Sequence, residues 1–300
     1  MSLHSRQLHL SPLVGVQDVH CRPETLACGC EECASRHLLV LPRRGAFVLH
    51  EDGKRAVVDT NQVTFFNAGH PHRISHLDIA GDDCTAVSFS DDLLDEVAGA
   101  AGVIADARGK RPFPAMNAPI GAAVALKSQV FFADLNHGDK SALTTEERAA
   151  ELLRLAFAAI RPPRRATGAA TNPTRARRTA MAAQEWVAAR PFENWTLGEL
   201  AGGVGSSPYH LLRLFRAETG STIHQYRMQL RLTAAARTIL DGCDDLTGLA
   251  LDLGFSSHSH FTDAFRRRFG MAPSALRART TGGQRAALRK NSTAPLRPIR

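Results

Sequence analysis

The chain has 300 residues, 44% of them hydrophobic and 22% charged. Its length predicts two domains, because one hydrophobic core seldom grows beyond about 250 residues, and its composition excludes fibrous and wholly disordered proteins. The net charge of +8 is uneven: residues 1–160 hold 15 Lys and Arg against 20 Asp and Glu, whereas residues 161–300 hold 22 against 9, so the C-terminal part is expected to bind a polyanion such as nucleic acid.

No apolar run is long enough to predict a membrane span, and the first ten residues lack the layout of a signal peptide. We therefore expect a cytoplasmic protein with no membrane partner. In that reducing compartment the six cysteines are not expected to form structural disulfides.

Four cysteines lie within thirteen residues near the N-terminus, at Cys21, Cys28, Cys30 and Cys33. Four thiolates at this spacing can satisfy tetrahedral zinc, and softer metals such as Cu(I) also favour them. A redox switch between neighbouring thiols is a second hypothesis, and cysteines that only pack are a third. The residues alone leave all three open.

Short runs of alternating apolar and polar residues predict β-strands between residues 37 and 90. The predicted strands are residues 37–41, 46–50, 56–58, 63–67 and 85–90. Glu51-Asp52-Gly53 is typical of a hairpin turn. Strands at this spacing favour a small barrel or sandwich.

Three histidines, His70, His72 and His76, are spaced evenly. Alternate residues of a strand share a face, so the three imidazoles are expected to converge inside the barrel. A metal, an organic ligand or ordinary polar packing would each explain them. A matching carboxylate and a later histidine are not evident at the expected positions.

Helical periodicity replaces the alternation between residues 91 and 160, most clearly at 122–132 and 148–160. These helices are expected to cover the barrel and to pair two subunits. Residues 161–178, with three prolines and six arginines, predict a basic linker. Residues 281–300 predict a disordered basic tail.

A helix-turn-helix pattern occurs twice between residues 179 and 280. Residues 197–220 match residues 246–270: each copy has an apolar helix, a turn containing glycine, and a second helix that ends in Phe and Gly. Residues 222–241 predict one amphipathic helix that joins the copies, with Ile223, Tyr226, Leu230 and Ile239 facing inward.

In the second copy, Phe261, Phe265 and Phe269 share one helix face and are expected to pack against Leu249 and Leu253. The opposite faces of both copies are expected to contact DNA through Ser207, Tyr209, His210, Leu212, Arg213, Arg216, Ser257, His258, Ser259, Thr262, Asp263, Arg266 and Arg267.

Arg213 is the best candidate to read a guanine in the major groove. The triplet Arg266-Arg267-Arg268 is expected to contact phosphates, with at least one of the three arginines merely solvated. Asp263 would accept from a cytosine amine or repel phosphate. A separation of about 34 Å would place both reading helices in successive major grooves.

Residues 197–277 resemble the DNA-binding domain of the AraC/XylS family. The matches are Leu200-Ala201, Leu211, Phe215, Gly220, Ala250, Gly254-Phe255-Ser256, Phe261, Phe265, Arg268-Phe269-Gly270 and Pro273-Ser274. The resemblance also implies that the strand-rich part is similar to a cupin-type sensing and dimerisation domain.

The predicted fold class is α+β, in four segments. Residues 1–160 form a cupin-like β-barrel with flanking helices, 161–178 the linker, 179–280 an all-α domain of two helix-turn-helix units joined by a helix, and 281–300 the tail.

The predicted function is a signal-responsive, sequence-specific transcription regulator without enzyme activity. An activator is the expected type, although family members both activate and repress. The expected partners are promoter DNA, RNA polymerase, a second copy of the chain, and a small-molecule, metal or redox effector. No cofactor is certain; zinc or another thiophilic metal is the candidate. The alternative is a cupin-type metalloprotein or enzyme with an accessory DNA-binding module.

Overall fold

The computed structural model describes residues 2–103, 111–138, 141–160 and 173–279. Its strands are β1 (Ser2–Leu10), β2 (Val14–Arg22), β3 (Glu32–Cys33), β4 (Leu38–Arg44), β5 (Phe47–Glu51), β6 (Lys54–Val58), β7 (Gln62–Phe66), β8 (Pro71–His76), β9 (Asp82–Phe89) and β10 (Asn117–Pro119). The five predicted strands correspond to β4, β5, β6, β7 and β9, and the predicted hairpin joins β5 to β6, with Asp52 and Gly53 at positive φ.

The strands form two antiparallel sheets. One has six strands in the order β1-β2-β9-β4-β7-β10, and the other has four in the order β3-β8-β5-β6. Within the described ranges each sheet keeps two edge strands, so the predicted closed barrel is wrong. The sheets instead bury their facing sides against each other, which removes the same apolar surface from water without closure.

Strand β4 explains why the six-stranded sheet is apolar on both faces. Leu39 and Leu41 point to one side, into a core shared with the helices that follow the sheets. Val40 points to the other side and packs with Phe47 and Val58 of the four-stranded sheet. A strand buried on both faces is expected to carry the continuous apolar run found here.

Three helices follow the sheets: α1 (Asp91–Ala100), α2 (Ala122–Asn136) and α3 (Ala142–Ala159). The two helical predictions in this region are confirmed, although α3 begins six residues early because the Ser141 hydroxyl caps it. Phe131 of α2 packs into the core beneath the six-stranded sheet, whereas Val130 and Ala133 pack against the C-terminal helices. Helix α2 therefore lies between the two halves of the chain.

The described part of the C-terminal half contains helices and connecting turns but no strand. It contains α4 (Pro173–Ala189), α5 (Leu197–Gly203), α6 (Pro208–Thr219), α7 (Ile223–Leu240), α8 (Leu246–Asp252), α9 (His258–Phe269) and α10 (Pro273–Arg279). Helix α4 starts inside the predicted linker, so that boundary is wrong; residues 161–172 and the predicted tail lie outside the described residues. Among the helices described, none is both long and apolar enough to cross a membrane.

Helix α7 is the common scaffold of the two helix-turn-helix units, as predicted. Ile223, Tyr226 and Leu230 belong to the core of the first unit, and Ile239 belongs to that of the second. Thr222 begins the helix with a reciprocal capping box, which satisfies two terminal N–H groups. One continuous helix therefore carries both units.

Candidate DNA interface

The two helix-turn-helix units repeat the same backbone devices. The turn after the first helix contains Gly205 (φ 64°) in one unit and Gly254 (φ 75°) in the other, and the second helices end at Gly220 and Gly270, both left-handed. Glycine adopts these positive φ values without the steric cost of a side chain. The repeat in the sequence is therefore a repeat in structure.

Serine hydroxyls fix the start of each second helix. Ser207 accepts a hydrogen bond from the N–H of His210 at 3.4 Å, and Ser257 accepts one from that of His260 at 3.1 Å. Both serines were predicted to contact DNA. The structure gives them a capping role, which stabilises a helix by about 1 kcal/mol.

Helix α6 separates its buried and exposed faces as predicted. Leu211 and Phe215 are fully buried, whereas the predicted DNA-contact residues of this unit are exposed, namely Ser207, Tyr209, His210, Leu212, Arg213 and Arg216. Tyr209 is 74% exposed although it is aromatic. The outer face of α6 is therefore open to a partner.

Helix α9 presents an equivalent outer face. Phe261, Phe265 and Phe269 pack inward with Leu249 and Leu253, which confirms that prediction. The outer positions Ser257, His258, Ser259, Asp263, Arg266 and Arg267 are exposed. Thr262 is half-buried, and its hydroxyl lies 3.3 Å from His258 Nε2.

The basic residues of the two outer faces differ in their freedom to bind phosphate. Within the described ranges, Arg213, Arg216, Arg266 and Arg267 form no ion pair with a carboxylate. Arg268 turns inward, lies 5.5 Å from the Phe269 ring, and has its pKa lowered to about 10 by burial. The expectation that the third arginine of the triplet is solvated or on phosphate is therefore wrong.

Known proteins are similar to this part of the chain. A family model described as a helix-turn-helix domain matches residues 200–279. The HTH-type transcriptional regulator GlxA of Rhizobium meliloti (strain 1021) is 36% identical over 91 residues, 30% of this chain and 27% of that relative. The chain thus spans about a quarter of the length of GlxA.

A shorter relative is matched over most of its length. The Probable transcription factor PqrA of Proteus vulgaris is 32% identical over 89 residues, which cover 30% of this chain and 73% of PqrA. The chain belongs to the AraC family of transcriptional regulators. A crystal structure of a transcriptional regulator from Chromobacterium violaceum, with an AraC-type DNA-binding domain, is 27% identical and covers 35% of this chain and 94% of that one, at a TM-score of 0.32.

In this AraC family chain the N-terminal half contacts the scaffold helix near both ends. The Tyr226 hydroxyl donates to Asp59 Oδ2 at 2.5 Å near the start of α7. Arg237 Nη1 lies 3.1 Å from Asp83 Oδ2 near its end. Neither pair is predicted by the sequence, because partners more than 150 residues apart give no local signal.

Asp83 has several cationic partners. Burial alone would raise its pKa, but hydrogen bonds from His20 and Arg22 and the charges of Arg237 and Arg44 hold the pKa of this carboxyl well below its usual range. Asp83 therefore stays ionised while almost fully buried. It connects β2, β4 and β9 to the DNA-binding half.

The three histidines of the N-terminal half do not converge. His70 lies beside Glu51, Asp52 and Arg111, and it precedes β8 rather than lying on it. The His72 ring packs against the Phe66 ring in a tilted arrangement, with 4.6 Å between the ring centroids. Their expected shared site is wrong, because each imidazole faces different neighbours.

The third histidine, His76, has a different environment again. It lies 3.0 Å from Asp82 Oδ2 between the sheets, and hydrogen bonding to Asp82 is the largest cause that raises its pKa to about 9. The alternative of a cupin-type metalloenzyme depended on three converging imidazoles and loses that support.

The four N-terminal cysteines do not lie together either. Cys21 is buried at the end of β2, whereas Cys28, Cys30 and Cys33 are exposed. Within the described ranges, no three of these sulfur atoms lie within 4.8 Å of one another. The expected four-thiolate metal site is therefore wrong for this arrangement.

Proposed function

We propose that this chain is a sequence-specific DNA-binding transcription regulator. The observation that carries the proposal is the pair of exposed helix faces on one rigid scaffold, each with arginines that lack a carboxylate partner. Unpaired arginines on an exposed face gain affinity by releasing counterions from phosphates. The hydrophobic core of each unit does not include these arginines, so their exposed side chains are available to bind a partner.

The two faces would divide recognition between them. Arg213 lies near the middle of α6 and would read a guanine through its two parallel N–H donors. Arg216, Arg266 and Arg267 lie toward the helix ends and would contact phosphates. Asp263 would accept from a cytosine amine, which is the base-reading role available to an exposed carboxylate.

The N-terminal half would transmit a signal through α7. Because its sheets hold both ends of the scaffold helix, a ligand that favours one arrangement of the sheets would shift the placement of the reading helices. An effector bound by the N-terminal half, a second copy of the chain and RNA polymerase complete the proposed assembly. These partners would supply regulation rather than DNA sequence recognition.

A selection from random DNA duplexes tests the proposal. The full chain is expected to enrich one sequence, and fluorescence anisotropy should show Arg213→Ala losing discrimination at one base pair by about 5–150-fold, the equivalent of 1–3 kcal/mol. Arg154→Ala is the matched control, since Arg154 is exposed but paired with Glu151 on α3. No enrichment, or equal weakening on all sequences by both variants, would overturn the proposal.

A further inference from the structure

Three side chains that commonly bind metal ions lie together between the two sheets. Cys21, His76 and Asp82 bring their ligand atoms within 4.8 Å of one another. Cys21 and Asp82 are direct partners across β2 and β9, and His76 ends β8 in the other sheet. The cluster therefore draws on both sheets.

Burial gives this cluster an unusual charge balance. Cys21, His76 and Asp82 are 7%, 5% and 4% exposed. In the part of the chain that the structure describes, the Asp82 carboxylate pairs with His76 and with no Lys or Arg. Buried carboxylates are paired or bind metals, because an isolated charge costs several kcal/mol to bury. A divalent cation would neutralise one carboxylate and one thiolate.

The His76 imidazole and the Asp82 carboxylate face each other directly in this arrangement. Nε2 of His76 lies 3.0 Å from Oδ2 of Asp82, although the imidazole N–H does not point directly at that oxygen. Ligand atoms around tetrahedral zinc lie about 3.3–3.8 Å apart, given bonds of about 2.0–2.3 Å. An ion held by both atoms would therefore require them to move apart by a few tenths of an ångström.

The surroundings hold Asp82 in place. The thiol of Cys84 donates to Asp82 Oδ1 at 3.2 Å, which leaves Oδ2 toward His76. Gly81 has φ 65°, and a Cβ there would lie 1.9 Å from the carbonyl oxygen of Cys21. The β8–β9 loop thus closes tightly against β2, which fixes the spacing of the cluster.

We propose that Cys21, His76 and Asp82 bind one zinc-class divalent metal ion. Thiolate, imidazole and carboxylate are the ligands that zinc prefers, and three of them leave one tetrahedral position for water. Binding releases the Cys21 thiol proton to solvent. The ion would join the six-stranded sheet to the four-stranded sheet.

The second group of potential ligands is less suited to a metal. Glu51, Asp52 and His70 also lie within reach of one another. However, Arg111 donates to His70 and pairs with Asp52, so a guanidinium already supplies the positive charge there.

Metal loading of the full chain tests the site. Untagged protein kept reduced with a phosphine is loaded with Zn²⁺ or Co²⁺ and dialysed against metal-free buffer. About one ion per chain is expected, with thiolate-to-cobalt absorption in the near ultraviolet. Cys21→Ser should abolish that absorption and His76→Gln should weaken binding more than 10-fold. Cys84→Ser should keep the ion but weaken its binding about 10–100-fold.

The exposed cysteines provide the decisive control. A triple variant with Cys28→Ser, Cys30→Ser and Cys33→Ser should bind the ion like the unmodified chain. Loss in the triple variant with retention in Cys21→Ser would overturn the proposal, as would absence of a stoichiometric ion in the unmodified chain. Circular dichroism checks that each variant is folded. If Cys21→Ser does not fold, His76→Gln still tests the site, because it removes one ligand and keeps every thiol.

Discussion

The phenol of Tyr226 donates a 2.5 Å hydrogen bond to Asp59 Oδ2, and the N–H of Asn61 donates to the other oxygen of the same carboxylate at 2.8 Å. Gln184 of α4 donates to the Tyr226 hydroxyl at 2.8 Å. The network connects the loop before β7 with α4 and α7 and is fully buried. It is the polar centre of the contact between the two halves.

Burial of Asp59 predicts a pH-dependent stability. It raises the pKa of this carboxyl to about 6, against the hydrogen bonds of Tyr226 and Asn61, which lower it. A raised folded-state pKa gives stability that is present below pH 4, where the unfolded group is also protonated, and lost as the pH rises through 6. The loss is about 3 kcal/mol at pH 7.

Urea unfolding of Asp59→Asn at several pH values measures this effect. The variant should gain about 3 kcal/mol relative to the unmodified chain between pH 4 and pH 7. Asp95→Asn on α1, which replaces an exposed carboxylate, is the control. A difference between Asp59→Asn and the unmodified chain that does not change with pH would contradict the prediction.

Two neighbouring glycines of α5 should respond oppositely to alanine. A Cβ at Gly202 would meet nothing within 4 Å, whereas one at Gly203 would lie 2.3 Å from Trp186 Cζ3. Gly202→Ala should therefore stabilise the chain by up to about 1 kcal/mol through helix propensity. Gly203→Ala should destabilise it by about 1–3 kcal/mol because the indole must move. Thermal melts compare the two variants. Equal shifts of the melting temperature in both would argue against the packing of Trp186 on α5.

The arginine triplet should separate DNA binding from folding. Arg266→Ala and Arg267→Ala are each expected to weaken binding on all sequences and to reduce the slope of log K against log salt by about 1. Arg268→Ala should lower the melting temperature instead, since that side chain is largely buried. Salt-titrated anisotropy and thermal melts measure the two effects; a change of salt slope in Arg268→Ala alone would refute this division.

Removal of the Asp83 carboxylate should loosen the contact with α7. Asp83→Ala leaves Arg22, Arg44 and Arg237 without their shared partner. The cost is expected to be on the order of 3 kcal/mol, because one member of a buried ionic group is lost. Asp78→Ala, at an exposed loop position, is the control in urea unfolding. A cost for Asp83→Ala no larger than that of the control would exclude Asp83 as a structural connection.

The sequence predicted the elements whose apolar residues have a regular period. Alternation identified β4 to β7, and spacing of three to four identified α7 and α9. Strand β1 was missed because it is an exposed edge strand, in which Arg6 and other polar residues occupy positions that are apolar in a buried strand. Helix α4 was missed because its first turns contain Pro173 and several arginines, which are typical of a linker; its burial depends on contacts such as those of Ala183 with the first unit.

The candidate site was predicted more completely than the N-terminal ligand residues. Exposure of Arg213 and burial of Phe261 follow from helical geometry within a few turns of chain. By contrast, the neighbours of His76 come from β2 and β9, and sheet order cannot be read from local pattern. The same reason hid the pair formed by Asp83 and Arg237.

Hydroxyl-radical footprinting of the full chain on its selected sequence tests the central claim most directly. Two reading helices on one scaffold should protect two stretches of backbone on one face of the duplex, separated by about one helical turn of 10.5 base pairs. Arg213→Ala should weaken the protection given by the first unit. A single protected stretch, or uniform protection along the whole duplex, would contradict the proposal that both helix-turn-helix units read DNA.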